Sequence, residues 1–139
     1  MKLKIIILIL FFFNSVCFSQ TENSSIVIQK NIDDTIKVSV AELILKPNNY
    51  HKKRIEVTGF ISLDFEGTAI YNSEEDFSQR LYKKSIWLSL HKEDAFALKK
   101  LYNETVTKVV GVFNMNSGGH MDLFSGIINV EIIGNKVFK

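Results

Sequence analysis

The chain has 139 residues, room for one domain, and its 17 Lys and Arg against 15 Asp and Glu leave a formal charge of only +2. Without a basic excess, composition gives no support for nucleic acid or an anionic membrane as the partner. Cys17 is the single cysteine, which excludes a framework of intrachain disulfides.

Residues 1–19 read as an export leader. Lys2 and Lys4 give a positive start, residues 5–13 are an unbroken apolar run, and Cys17-Phe18-Ser19 forms a small-x-small site before Gln20. That run is too short to span a bilayer, which needs roughly 20 residues, so the mature chain is expected to carry no transmembrane segment. Cleavage after Ser19 would remove Lys2 and Lys4 and no acidic residue, leaving 15 charges of each sign. It would also remove Cys17, and with it any thiol nucleophile or thiolate metal site. Lipid anchoring through Cys17 is the alternative, but Val16 and Asn14 match poorly the small and leucine-like residues expected one and three positions before such a cysteine. The expected location is exported, periplasmic or secreted.

Residues 20–38 form an amino-terminal extension ahead of a domain over residues 39–139. Within the extension, residues 26–28 and 35–38 are short and β-prone, with Asn31, Asp33 and Asp34 as a turn between them. Ser39 opens a helix, with Glu42 three residues on as a capping box. Val40, Leu43 and Ile44 follow helical spacing, and Pro47, Asn48 and Asn49 stop it. Residues 54–63 are the first long strand, with Ile55, Val57, Ile61 and Leu63 on one face and Gly59 interrupting it. A second strand follows at 68–71, then a polar stretch at 73–81 with one helical turn around Glu74, Glu75 and Asp76. Residues 85–90 alternate, Ile86, Leu88 and Leu90 against Ser85, Trp87 and Ser89. A helix over Lys92–Tyr102 places Ala95, Leu98, Leu101 and Tyr102 at helical spacing. Two strands, 105–113 and 124–133, flank a loop at 114–122 that holds Gly118 and Gly119.

From residue 54 the order is strand, strand, strand, helix, strand, strand. This is the order of an OB-fold, a five-stranded Greek-key barrel with its helix between strands three and four. The predicted class is therefore mainly β with two short helices. A twisted sheet with helices on one face has the same linear order. Gly59, Gly111 and Gly126, one in each long strand, favour the barrel because closing so small a sheet needs strong coiling.

Pro47, Tyr50, His51 and Lys53, followed by Ile55-Glu56-Val57-Thr58-Gly59-Phe60, resemble the opening of small uncharacterised OB-fold-like bacterial proteins. Residues 65–71 and 119–126 are similar to segments of one group among them. The resemblance implies the fold and carries no activity, cofactor or site residue.

Catalytic signals are sparse. His51, His91 and His120 lie far apart and lack paired-ligand spacing, no G-x-S-x-G elbow occurs, and Glu74, Glu75 and Asp76 lack the spacing of a calcium loop. No cofactor is called for. Two features stand out instead. Phe60 and Trp87 lie on the strand faces opposite the core and Tyr71 ends the second strand, an aromatic stripe where an OB barrel offers its ligand platform and rings can stack on a ligand. The alternative is that residues 26–38 pack over them. The second feature is the loop tip, where Gly118 and Gly119 could expose amides to an anion and His120 and Asp122 add side-chain chemistry. A plain flexible hairpin would use the same residues.

The expected function is a non-catalytic binding module of the bacterial envelope, recognising a protein, peptide or glycan through the Trp87 face and the His120 loop. Two other classes remain open: a metal-dependent enzyme or metal-binding protein using the three histidines, or an inhibitor or immunity-type protein presenting Glu66 and the acidic residues 74–76.

Overall fold

The structure, a computed structural model, describes residues 34–138. The leader, its cleavage site, Cys17 and the strand expected at 26–28 lie outside the described residues. The chain first forms β1 (Ile36–Lys37) and α1 (Val40–Leu45). Ser39 caps α1, its hydroxyl accepting from the Glu42 amide at 3.1 Å. The other half of the expected capping box is absent, because the Glu42 carboxylate accepts the Tyr50 hydroxyl at 2.7 Å instead. That bond ties the 3₁₀ turn at Pro47–Asn49 back onto the helix.

The barrel is built from β2 (Arg54–Ser62), β3 (Ala69–Tyr71), β4 (Ser85–Ser89), β5 (Thr105–Asn114) and β6 (Ile127–Ile133). Its spatial order is β2-β3-β4-β6-β5, and β5 closes on β2 from Arg54↔Val112 to Ile61↔Thr105. The barrel pairings are antiparallel except β4 with β6, where Leu88 faces Ile128 in a parallel ladder. A single helix, α3 (Lys92–Tyr102), separates β4 from β5. Closure with this order is the OB-like barrel expected from the element sequence. β1 lies parallel to the start of β2, and β7 (Lys136–Val137) adds a hairpin strand to β6 that the sequence reading lacked.

The alternating residues Ile55, Val57, Ile61 and Leu63 all point into the core, with Ile70, Ile86, Leu88, Val109, Phe113, Ile128 and Ile133. Val40 and Leu43 of α1 and Leu98 of α3 enter the same cluster. Val130 of β6 is only partly buried against it. Leu101, placed by its helical spacing on the same face as Leu98, is 68% exposed; Leu98 alone of that helix is fully covered. The close approach of strands needs Gly111: a Cβ there would lie 2.2 Å from the Asn129 carbonyl oxygen, beside the register shift between Val110 and Gly111. Gly126 sits just before β6 and not within it, where a Cβ would meet the Phe113 ring at 2.6 Å. A third helix, α2 (Glu74–Ser78), stands where one helical turn was expected. No helix among the described residues is long and apolar enough to cross a membrane.

Candidate functional site

The outer face of β2, β3 and β4 is not an open platform. Phe60 is 6% and Tyr71 2% exposed, correcting the expectation that both offer their rings to a ligand. The covering element is α2. Ser73 caps it, accepting from the Asp76 amide at 3.1 Å, and Phe77 places its ring 5.2 Å from Phe60 and 5.3 Å from Tyr71. Asp76 is buried and held by Lys84 at 3.2 Å. A short polar stretch thus folds back and closes an aromatic layer that water would otherwise reach. The expected alternative cover, residues 26–38, lies mostly outside the described residues. Its described part, Ile36 and Val38, packs on the main core. Burial raises the Tyr71 pKa above 10.0, with the neighbouring Tyr82 adding to the shift.

Trp87 is the exception, half-buried at the edge of this layer. Phe124 meets it edge-on at 5.1 Å, and the His120 imidazole stacks at 6.3 Å with planes 25° apart. The two features separated in the sequence, aromatic face and glycine loop, are therefore one structure. Gly119 has φ 65°, and a Cβ there would stand 2.4 Å from Cγ of Trp87, so the loop backbone lies directly on the indole. Gly118 is buried and its amide donates to Oδ1 of Asp122 at 2.8 Å. That amide, expected to be open to an anion, is satisfied by the protein's own carboxylate. Asp122 and Met121 both adopt positive φ, and Lys83 reaches the Asp122 carbonyl at 3.1 Å.

The other side of Trp87 faces a groove of about 670 Å³. Leu63, Phe65 and Thr68 form one wall, Leu90 and Phe96 another. Phe65 is 70% and Phe96 83% exposed, though both border a concave apolar surface. The Lys92 ammonium sits 4.3 Å from the Phe65 ring centre, a cation–π contact. Lys99 pairs with Asp64 at 2.6 Å, linking α3 to the β2–β3 connection. Phe65 and Phe96 were missed in the sequence reading. The available signal was an aromatic on the polar side of a helix, since Phe96 is ringed by Lys92, Lys99 and Lys100 at positions four before, three after and four after.

The three histidines go to separate tasks. His51 accepts the Met115 amide at 3.2 Å through Nδ1, His91 stands at the start of α3, and His120 stacks on Trp87. No group of three His, Cys, Asp or Glu residues converges among the described residues. The acidic edge is interrupted as well, because Asp64 is paired with Lys99 and Asp76 with Lys84. Comparison of the chain with protein-family models, with curated proteins and with solved structures finds no match.

Proposed function

We propose that this chain is an exported, non-catalytic binding module of the bacterial envelope whose groove beside Trp87 receives an apolar side chain of a protein or peptide partner. The observation that carries the reading is the pair Phe65 and Phe96, both largely exposed on either side of a groove walled by Trp87. Exposed aromatic rings that border a concave apolar surface mark an interaction site more often than isolated exposed residues do. Tryptophan is among the residues that most often dominate binding energy, and here its indole is already held in place by Gly119, His120 and Phe124. Lys92 and Lys99 stand at the rim, where charge sets orientation and encounter rate more than affinity. The apolar lining favours a peptide over a glycan, which needs more converging polar groups than this groove offers.

Export rests on the charged, apolar, small-residue order of residues 1–19. Intact mass of the protein recovered from the source cell should give Gln20 as the first residue, and a retained Met1 would end the export reading. A lipid-bearing Cys17 terminus would instead mark an anchored protein. For the groove, a photo-crosslinking residue in place of Phe96 should trap a partner in the cell. The same residue at Val137, exposed on β7, should trap none. Equal trapping at both positions, or none at Phe96, refutes the groove as the site.

A further inference from the structure

The β2–β3 connection has a second cleft on its other side. It measures about 470 Å³, with Ser62 and Tyr71 in its lining, Glu66 at the turn, and Arg80 and Tyr82 opposite from the segment that follows α2. Ser62 is 1% exposed, yet its hydroxyl makes no hydrogen bond among the described residues. No sealed side-chain polar atom among the described residues lacks a partner, so that hydroxyl keeps some access to solvent, and it lines the cleft. A hydroxyl that is almost covered and has no protein partner can still take a hydrogen bond from a polar occupant of the cleft it lines.

The charges lining the cleft narrow the class of occupant. Glu66 and Arg80 border the same space, but neither side chain makes an ion pair or hydrogen bond among the described residues. Their backbones are held: the Gly67 amide donates to the Asp64 carbonyl at 3.1 Å, and the Leu81 amide to the Asp76 carbonyl at 2.9 Å, on either side of Arg80 at φ 53°. Asp64, the other carboxylate present, is already occupied by Lys99. One carboxylate and one guanidinium, each without a partner among the described residues and both lining the same cleft, match a ligand that carries both charges itself. The guanidinium fork suits a carboxylate. Glu66 suits an ammonium, which the Tyr82 ring can also attract, and the Ser62 hydroxyl can donate or accept.

We infer that this cleft binds a small zwitterion of the amino-acid class, its carboxylate on Arg80 and its ammonium on Glu66, with Ser62 completing the contact. The site is independent of the Trp87 groove. The test is titration of the purified protein with L-alanine, followed through the backbone amide signals of Ser62, Gly67 and Arg80. Acetate, ethylammonium and glucose, added separately, are the controls. Saturable shifts with alanine alone are expected. Arg80→Gln and Glu66→Gln, both at exposed positions, should each weaken alanine binding by about tenfold or more, and Phe96→Ala should leave it unchanged. Three results overturn the inference: no saturable shift with alanine, an equal response to glucose or to either single-charge probe, or unaltered alanine binding in both charge variants.

Discussion

Substituting Gly119 by alanine places a methyl carbon 2.4 Å from Cγ, 2.6 Å from Cβ and 2.6 Å from Cδ2 of Trp87. Cβ and Cγ do not move when the indole turns about the bond between them, so that rotation does not relieve the contact. Either the loop lifts or Trp87 changes rotamer. The backbone itself resists, since φ 65° with ψ −141° is a conformation that side chains rarely adopt, worth about 1–3 kcal/mol. Overpacking adds about 1–3 kcal/mol. The expected loss is therefore about 2–6 kcal/mol, read as a lower urea midpoint with an unchanged slope. Trp87 is the only tryptophan in the chain, so its emission reports the same event directly and should shift as the loop separates from the ring. Gly67→Ala is the matched control, because its nearest neighbour would be 3.9 Å away and its φ is not positive. It should stay within about 0.5 kcal/mol of the parent. If Gly119→Ala matches Gly67→Ala in stability and leaves the emission unmoved, the loop does not hold the indole and the groove wall is not built as described.

Leu88→Ala removes a fully buried side chain of β4 and should cost about 2–5 kcal/mol by denaturant unfolding; a loss under about 1 kcal/mol would contradict a packed barrel interior. Alkaline stability should depend on Tyr71. Its raised folded pKa means that the neutral phenol's contribution is complete below pH 10.0 and is lost as pH climbs through the folded value. Tyr50 follows the same sign through its hydrogen bond to Glu42. Melting curves from about pH 8 to about pH 11 should therefore fall less steeply for Tyr71→Phe than for the parent, and parallel curves would rule out Tyr71 as a source.

The barrel was legible because its signals are local. Ile55, Val57, Ile61 and Leu63 alternate along one strand, and Leu98 sits centrally in a helix whose bounds, Lys92–Tyr102, match the expected ones. The aromatic layer was not. Nothing near Phe60 or Tyr71 in sequence announces that Phe77, one ring in a polar stretch, folds back onto both. Periodicity assigns a residue to a face of its own element and is silent on what a later segment lays over that face. Leu101 failed in the opposite direction: helical spacing marks which residues could be covered, while the docking of the helix decides which are. The groove needed Phe65 and Phe96 to meet across the β2–β3 connection and α3, and the polar cleft needed Glu66 and Arg80 to meet across that connection and the segment after α2. Both are products of closure. His120 and Trp87 were each singled out, but their contact runs through the backbone of Gly119, whose lack of a side chain says only that something comes near.

Barrel closure also has a consequence in time. The earliest long strand, β2, finds its partner in β5, and β4 finds its parallel partner in β6, the last long strand to be made. A chain interrupted before residue 105 has its interior side chains on one face of an open sheet, with unpaired edges on β2 and β4. Folding must therefore wait for the carboxy-terminal part, and pairing of this non-local kind proceeds on the order of milliseconds to seconds. Under the export proposed above, that delay would keep the polypeptide unfolded through passage across the membrane. The same delay leaves it exposed to proteases and self-association until β5 and β6 arrive.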